Sequence, residues 1–215
     1  MHEMVCKINR LRALKVCEGL KGRNMKGVYF DEVSKATHYI DSLIKDGSTV
    51  GLGGSVTLVE SGLLDILRKR KINLLDRYKE GISKEDVDRM RVDGLTADVF
   101  IASANAITIT GKIVNADGMG NRVASMIFGP KKVILFAGVN KIVDTVSDAI
   151  KRIHSYVAPM NALRFNAKTK CAETGFCDEE NCDPDKRICN AYSIIAGQNV
   201  KDRITVVIAG KTLGF

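Results

Sequence analysis

The amino-acid sequence predicts an α/β fold, a Rossmann-like sandwich with a mostly parallel sheet, carrying an N-terminal helix and a Cys-rich insertion. Three observations lead there. Short apolar or β-branched runs alternate with segments of helical periodicity along most of the chain. The 215 residues suit one α/β domain, at a typical ~100–200 residues per domain, so 1–215 is read as a single unit. A composition of 45% hydrophobic and 27% charged residues is that of a globular chain with a sizeable core, which excludes disordered and fibrous classes.

Taken in order, Met4, Ile8, Leu11, Leu14, Cys17 and Leu20 recur at steps of three and four. They predict a helix over 3–20 with that stripe inward and Lys7, Arg10, Arg12 and Lys15 solvated. Gly27–Phe30 reads as a strand. Asp31 then caps a helix over 32–45 that buries Val33, Ala36, Ile40, Leu43 and Ile44 and stops at Gly47. Ser48–Leu52 is a buried strand and Thr57–Arg70 a helix. Asn73–Leu75 is a short strand, and 83–94 is a charged helix anchored by Val87, Met90 and Leu95. Asp98–Ser103 and Ala106–Thr110 are strands, with a turn at Thr110-Gly111 returning through Lys112–Asn115 as a hairpin. A helix over 121–128, a strand over 132–137, a helix over 141–156 and a last strand over 203–209 complete the pattern.

Two loops and one segment carry candidate chemistry. In the first, a strand runs directly into Gly51, Gly53, Gly54, Ser55 and Thr57 before a helix begins. Glycines let the backbone approach a ligand closely, and the free N–H groups and hydroxyls suit an anion. The run is neither a Walker A nor a good dinucleotide fingerprint, because Val56 stands where a third glycine is needed. The alternative is a tight turn capped by Ser55 or Thr57, with Glu60 completing a capping box rather than serving as a catalytic carboxylate. In the second loop, Asn105, Asn115, Asp117, Gly118, Gly120, Asn121 and Arg122 gather amides, a carboxylate and a guanidinium. Part of this is turn chemistry, but a forked donor at Arg122 suits a phosphate or carboxylate.

The third segment is 171–189, where Cys171, Cys177, Cys182 and Cys189 lie among six acidic residues. Four thiols on short, turn-rich spacings can close around zinc or an iron–sulfur cluster, and the acidic neighbours argue against core packing. The short ferredoxin run and the paired CxxC of a zinc ribbon are both absent. Cys6 and Cys17 read as packing residues of the first helix.

The formal charge of +8 is uneven: +5 over 1–30, −2 over 31–100, +7 over 101–170 and −2 over 171–215. Two separated basic blocks do not make the continuous footprint of a nucleic-acid binder, and no stacking array or recognition motif accompanies them. They fit a solvated helix face and a local anion site. The start of the chain reaches charge immediately and lacks the apolar core of a signal peptide, and no apolar run is long enough for a membrane span. A cytoplasmic protein is expected, in whose reducing surroundings clustered cysteines point to metal or redox chemistry.

Several runs together resemble the LUD-domain family of lactate utilization proteins, the LutC/YkgG-like group. They are Gly51-Leu-Gly-Gly-Ser-Val-Thr, Asp98-Val-Phe-Ile, Asn105-Ala-Ile-Thr, Gly111 through Arg122, Phe128-Gly-Pro-Lys-Lys-Val-Ile and Asn140-Lys-Ile-Val. The similarity extends from about residue 3 to 215, and the Cys-rich tail ending Arg187-Ile-Cys-Asn also resembles one branch of the family. The resemblance implies a NagB/RpiA/CoA-transferase-like fold and a part in oxidising L-lactate to pyruvate alongside iron–sulfur partner subunits.

The leading expectation is therefore a lactate utilization protein that binds a small anionic organic acid, or a phosphate- or CoA-type ligand, at the two loops. A metal- or iron–sulfur-bearing electron-transfer or scaffold subunit is the second. A stand-alone isomerase or transferase, with Glu60 or Asp117 as acid/base or nucleophile, is the third.

Overall fold

The computed structural model describes residues 2–215. Six strands form a fully parallel sheet: β1 (Lys26–Phe30), β2 (Thr49–Leu52), β3 (Asn73–Leu75), β4 (Val99–Ala102), β7 (Lys132–Gly138) and β10 (Ile204–Ala209), in the order β1-β10-β7-β4-β2-β3. Successive side chains leave opposite faces of a strand, and here both faces are buried. Val133, Leu135 and Ala137 enter one core with Val206, Ile208 and Phe100. Ile134 and Phe136 enter the other with Val207, Ile101 and Val50. This alternation is why the strands read as continuous apolar runs.

The first core is closed by α1 (Glu3–Lys21), through Ala13, Val16 and Leu20. The second is closed by α2 (Val33–Ser42), α3 (Val56–Glu60) and α4 (Leu63–Arg68), through Ala36, Ile40, Leu58, Leu63 and Leu67. A smaller mixed sheet of β5 (Ala106–Thr108), β6 (Ile113–Asp117), β8 (Ile142–Val143) and β9 (Ala191–Ile195) adds a flank in the order β8-β5-β6-β9. Only the β5–β8 pairing in it is parallel. On its outer side Ala106 and Val114 pack against Ala149 and Ile153. The remaining helices are α5 (Lys84–Asp93), α6 (Asn121–Ile127), α7 (Val146–Arg152), α8 (Ala158–Arg164) and α9 (Lys170–Thr174).

The α/β class and the mostly parallel sheet are as the sequence predicts. Several local expectations are corrected. The expected α1 stripe meets the core only toward the end of the helix: Leu20 is buried, with Ala13 and Val16 beside it, while Met4, Ile8, Leu11 and Leu14 are exposed, as is Cys6. At Gly19 a Cβ would stand 2.5 Å from the Thr110 carbonyl carbon, so only a glycine lets this end of α1 lie so close to the β5–β6 turn. Cys17 does pack against the first core, and burial pushes its thiol up to about 11.

The helix expected over 57–70 is two helices, broken at Gly62 with φ +72°. Helix α2 begins after Glu32 rather than Asp31. The helix expected over 141–156 starts only at Val146, where Thr145 and Asp148 form a capping box. Ile142–Val143 before it is strand, and Ile153–Val157 after it is a π-helical turn leading into α8. Strand β9 was not foreseen; it is an edge strand with Tyr192 and Ile194 turned to solvent. Among the described residues no helix is long and apolar enough to cross a membrane.

Candidate functional site

In a parallel sheet all carboxyl ends point the same way, and loops leaving neighbouring strands meet there. Strands β2, β4 and β7 are adjacent, so Gly53–Ser55, Ser103–Asn105 and Val139–Lys141 converge at one edge. Between them, α8 and the loop after β6 lies a cavity of about 320 Å³. This is at the lower end of the ~300–1,000 Å³ of small-molecule sites.

The glycine loop is held by Tyr78. Its hydroxyl accepts from the Ser55 N–H at 2.6 Å and donates to the Gly53 carbonyl at 2.9 Å. A Cβ on Gly53 would stand 2.8 Å from the Ala102 Cβ and 3.1 Å from Arg122 Cγ, so this glycine admits the Arg122 stem. Gly54 lies under the Arg77 guanidinium. Ser55 is 6% exposed and lines the cavity, and its Oγ has no hydrogen-bond partner among the described residues. It does not cap α3. Gly51 is a strand residue packed against Gly94 and Phe100, away from the cavity.

The second loop forms a buried network. Arg122 donates through Nε to Asp117 Oδ1 (2.8 Å) and through Nη1 to the Ser103 carbonyl (2.7 Å) and Asn115 Oδ1 (2.9 Å). Its Nη2 donates to Asn105 Oδ1 (3.1 Å) and the Ala116 carbonyl (3.0 Å). A guanidinium has five N–H donors, and these five acceptors use all of them. Asp117 Oδ2 accepts the Arg122 and Val123 backbone N–H groups, capping α6. Asn105 and Asn115 exchange further bonds across β5 and β6: Asn105 N–H to Asn115 Oδ1, and Ala116 N–H to Asn105 Oδ1. Arg122, expected to fork an anion, thus fastens the cavity floor. Asp117 has its carboxylate taken up by the same floor. Asn105, Gly118 and Asn121 line the cavity, whereas Asn115 lies beneath it and Gly120, with φ +81°, forms the turn into α6.

Glu60 is neither a cap nor a cavity residue; its Oε2 accepts the Gly214 N–H at 2.6 Å and ties down the C-terminal segment. Thr57, its expected capping partner, instead donates to the Leu213 carbonyl at 3.2 Å and accepts from Lys141 Nζ at 3.0 Å.

The cations that face the cavity are ones sequence reasoning missed. Lys141 is 2% exposed, and its Nζ sits between Thr57 Oγ1 and Ser103 Oγ (2.9 Å). Burial, with Arg152 and Arg122 nearby, lowers its ammonium from 10.5 to about 7; distant Glu60 opposes this only weakly. Arg77 and Arg164 line the cavity and make no side-chain hydrogen bond or ion pair to any described residue. Burial lowers both guanidiniums, helped at Arg77 by Arg91. Arg91 pairs with Asp88, but its buried Nε is unpartnered among the described residues. Arg164 also stacks over Phe165 and Phe215, centroids 4.3 and 5.8 Å away. The +7 of the 101–170 block contained Lys141 and Arg164, and that charge excess was the one signal pointing to them.

Beside this cavity, Cys171, Cys177, Cys182 and Cys189 line a second one of about 20 Å³. Ile188 and Cys189 belong to both walls. Burial raises the Cys177 and Cys182 thiols, and the neighbouring cysteines add to it. As they stand, no group of three or more such side chains among the described residues is set to hold a metal ion. The segment is joined to the first site by the Asn190 N–H, which donates to the Asp117 carbonyl at 2.8 Å, where β9 pairs with β6.

Comparison with solved structures finds a DUF162 family protein from Deinococcus radiodurans at 12% identity and a TM-score of 0.46, covering 96% of each chain. It also finds eIF2B beta from Chaetomium thermophilum at 15% identity and a TM-score of 0.39, over 54% of this chain and 44% of that one. Ribose 5-phosphate isomerase A from Neisseria gonorrhoeae follows at 15% and 0.35, over 54% and 55%. No curated protein matches the sequence. The family model of the LUD domain matches residues 14–209, nearly the whole chain. With that match, and the motifs of its glycine and Asn/Asp loops, the chain belongs to the LUD-domain family.

Proposed function

We propose that this protein binds a small organic anion in the cavity at the carboxyl ends of β2, β4 and β7, and serves the oxidation of L-lactate or a related organic acid. The observation that carries the reading is the convergence of Arg77 and Arg164, which have no carboxylate partner among the described residues, with the buried, unpartnered Ser55 hydroxyl. Arg77 is half-buried and Arg164 opens to solvent at the cavity edge, so the two present guanidinium donors with no counter-charge to a ligand that supplies one. Membership of the LUD-domain family supports lactate chemistry over other organic acids. The cavity volume favours a compact acid; a CoA-type ligand would extend past its mouth.

The test is thermal unfolding with L-lactate, pyruvate, phosphate and coenzyme A. A ligand at a hundred times its Kd stabilises by about 2.7 kcal/mol, a rise of roughly 6 °C for a chain this size. Arg77→Ala and Arg164→Ala are expected to abolish that rise. If none of the four compounds moves Tm, the reading is wrong.

A second reading is favoured by the four thiols around one small cavity whose wall is shared with the anion site. Zinc or an iron–sulfur cluster would be held by Cys171, Cys177, Cys182 and Cys189, the thiols giving up their protons as the loops closed on the metal. Such a cluster would supply one-electron chemistry next to the bound acid. Metal and acid-labile sulfide content decides between zinc, a cluster and neither.

A further inference from the structure

We propose that Lys141 is a nucleophilic amine of this site, forming an imine with the carbonyl carbon of a 2-oxo acid whose carboxylate is held by Arg77 and Arg164. This rests on the anion-binding reading above and adds a substrate class to it. Lys141 comes from the turn after β7, and its Nζ reaches the cavity wall fully buried. Two hydroxyls accept from it, Thr57 Oγ1 at 3.0 Å and Ser103 Oγ at 2.9 Å. A neutral amine has two N–H bonds and one lone pair. With both N–H bonds directed to Thr57 and Ser103, the lone pair takes the remaining tetrahedral direction.

Thr57 is itself oriented by its bond to the Leu213 carbonyl, so the cradle is built into the fold rather than made by chance rotamers. No carboxylate is within bonding distance of the Lys141 Nζ, whose partners are the two hydroxyls. The charged groups facing Lys141 are Arg152, from α7, and Arg122, with Glu60 more remote. Arg152 is held by the Asn105 and Asn140 carbonyls and stays put. That surrounding of like charge and low polarity keeps a large share of the amine unprotonated near neutral pH, as nucleophilic lysines require.

The step balances without an oxidant. The amine lone pair attacks the carbonyl carbon, the C=O electrons pass to oxygen, and proton transfer from nitrogen gives a carbinolamine. The carbinolamine then takes up a proton from solvent at its hydroxyl and loses water, leaving a protonated imine. Addition of water reverses the sequence and returns the free lysine, the 2-oxo acid and that proton. The protonated imine withdraws electrons from the neighbouring carbon, and the arginines hold the carboxylate away from the reacting atom.

The experiment is reductive trapping of the full-length protein with pyruvate and sodium cyanoborohydride, read by peptide mass spectrometry. The expected result is one carboxyethyl group on the Lys141 peptide, well above any other lysine, and its loss in Lys141→Arg. The wild-type map carries the result even if that variant fails to fold. Trapping is expected to fall at least tenfold in Arg77→Ala. If pyruvate raises Tm but no adduct forms at Lys141, or adducts spread evenly over surface lysines, the imine is refuted and the binding site stands. If pyruvate gives no adduct and none of L-lactate, pyruvate, phosphate and coenzyme A raises Tm, both are refuted.

Discussion

Replacing Arg122 with alanine separates two accounts of the most polar stretch of this chain. As an anion clamp, Arg122 would be dispensable for folding and needed for binding. In the structure all five of its N–H donors are spent on Asp117, Ser103, Asn115, Asn105 and Ala116, at 2.7 to 3.1 Å. Truncation leaves the Asp117 carboxylate, 9% exposed, with only the backbone N–H groups of Arg122 and Val123, and it strips donors from two buried amide oxygens. Breaking a buried ion pair from one side costs about 3–5 kcal/mol. At an unfolding entropy of ~2 cal/mol/K per residue, a kilocalorie corresponds to roughly 2 °C here, so Tm falls by about 7–11 °C. Arg122→Lys keeps the charge but has three donors in place of five, and recovers only part of the loss. Urea denaturation at neutral pH with the same m-value in both proteins is the assay. An Arg122→Ala protein within about 1 kcal/mol of the parent, yet unable to bind pyruvate, would show the network to be incidental and the guanidinium a ligand contact.

Two further outcomes follow from the buried lysine and the cysteines. Because burial holds Lys141 at about 7 rather than 10.5, the unfolded chain binds its proton more tightly between those values. The resulting penalty on the fold is complete below pH 7 and is relieved as pH rises toward 10.5. Lys141→Met, neutral throughout, should therefore gain stability relative to the parent at pH 6 by a few kcal/mol more than at pH 10; an offset constant across that range in urea titrations would contradict the argument. Anaerobically purified protein is expected to carry about four irons and four sulfides per chain, or about one zinc, with Cys182→Ser lowering the content. Absence of iron, sulfide and zinc removes the second reading.

Much of the frame was legible because its signals are local. Continuous apolar runs such as Lys132–Gly138 and Ile204–Ala209 call for burial on both faces, which helices on either side of a parallel sheet provide. The glycine loop was legible as a strand-to-helix turn, but the Tyr78 clamp and the Gly53 contact with Arg122 that shape it come from other segments. Errors arose where a local pattern had two solutions. The α1 stripe of Met4, Ile8, Leu11, Leu14, Cys17 and Leu20 is a valid amphipathic face, yet only Cys17 and Leu20 reach the core and the first turns of the helix stay exposed. The helical pattern over 141–156 ignored a two-residue strand, Ile142–Val143, whose pairing partner Ile107–Thr108 lies more than thirty residues earlier.

At the candidate site, residue types alone drew attention to Arg122, Asp117 and Glu60, the charges in polar or capping contexts. Which charges are free is a property of their acceptors, and those acceptors are supplied by other segments: Ser103 and Asn105 for Arg122, Gly214 for Glu60. The +8 net charge and its concentration in 101–170, the glycine and Asn/Asp loop motifs and the four clustered cysteines were determined by the sequence itself. That Lys141, Arg77 and Arg164 are the cations facing the cavity was decided only in three dimensions. They follow β7, follow β3 and end α8, and the strand order β7-β4-β2-β3 brings these ends together. Strand order is set by non-local pairing and packing, which no window of sequence contains.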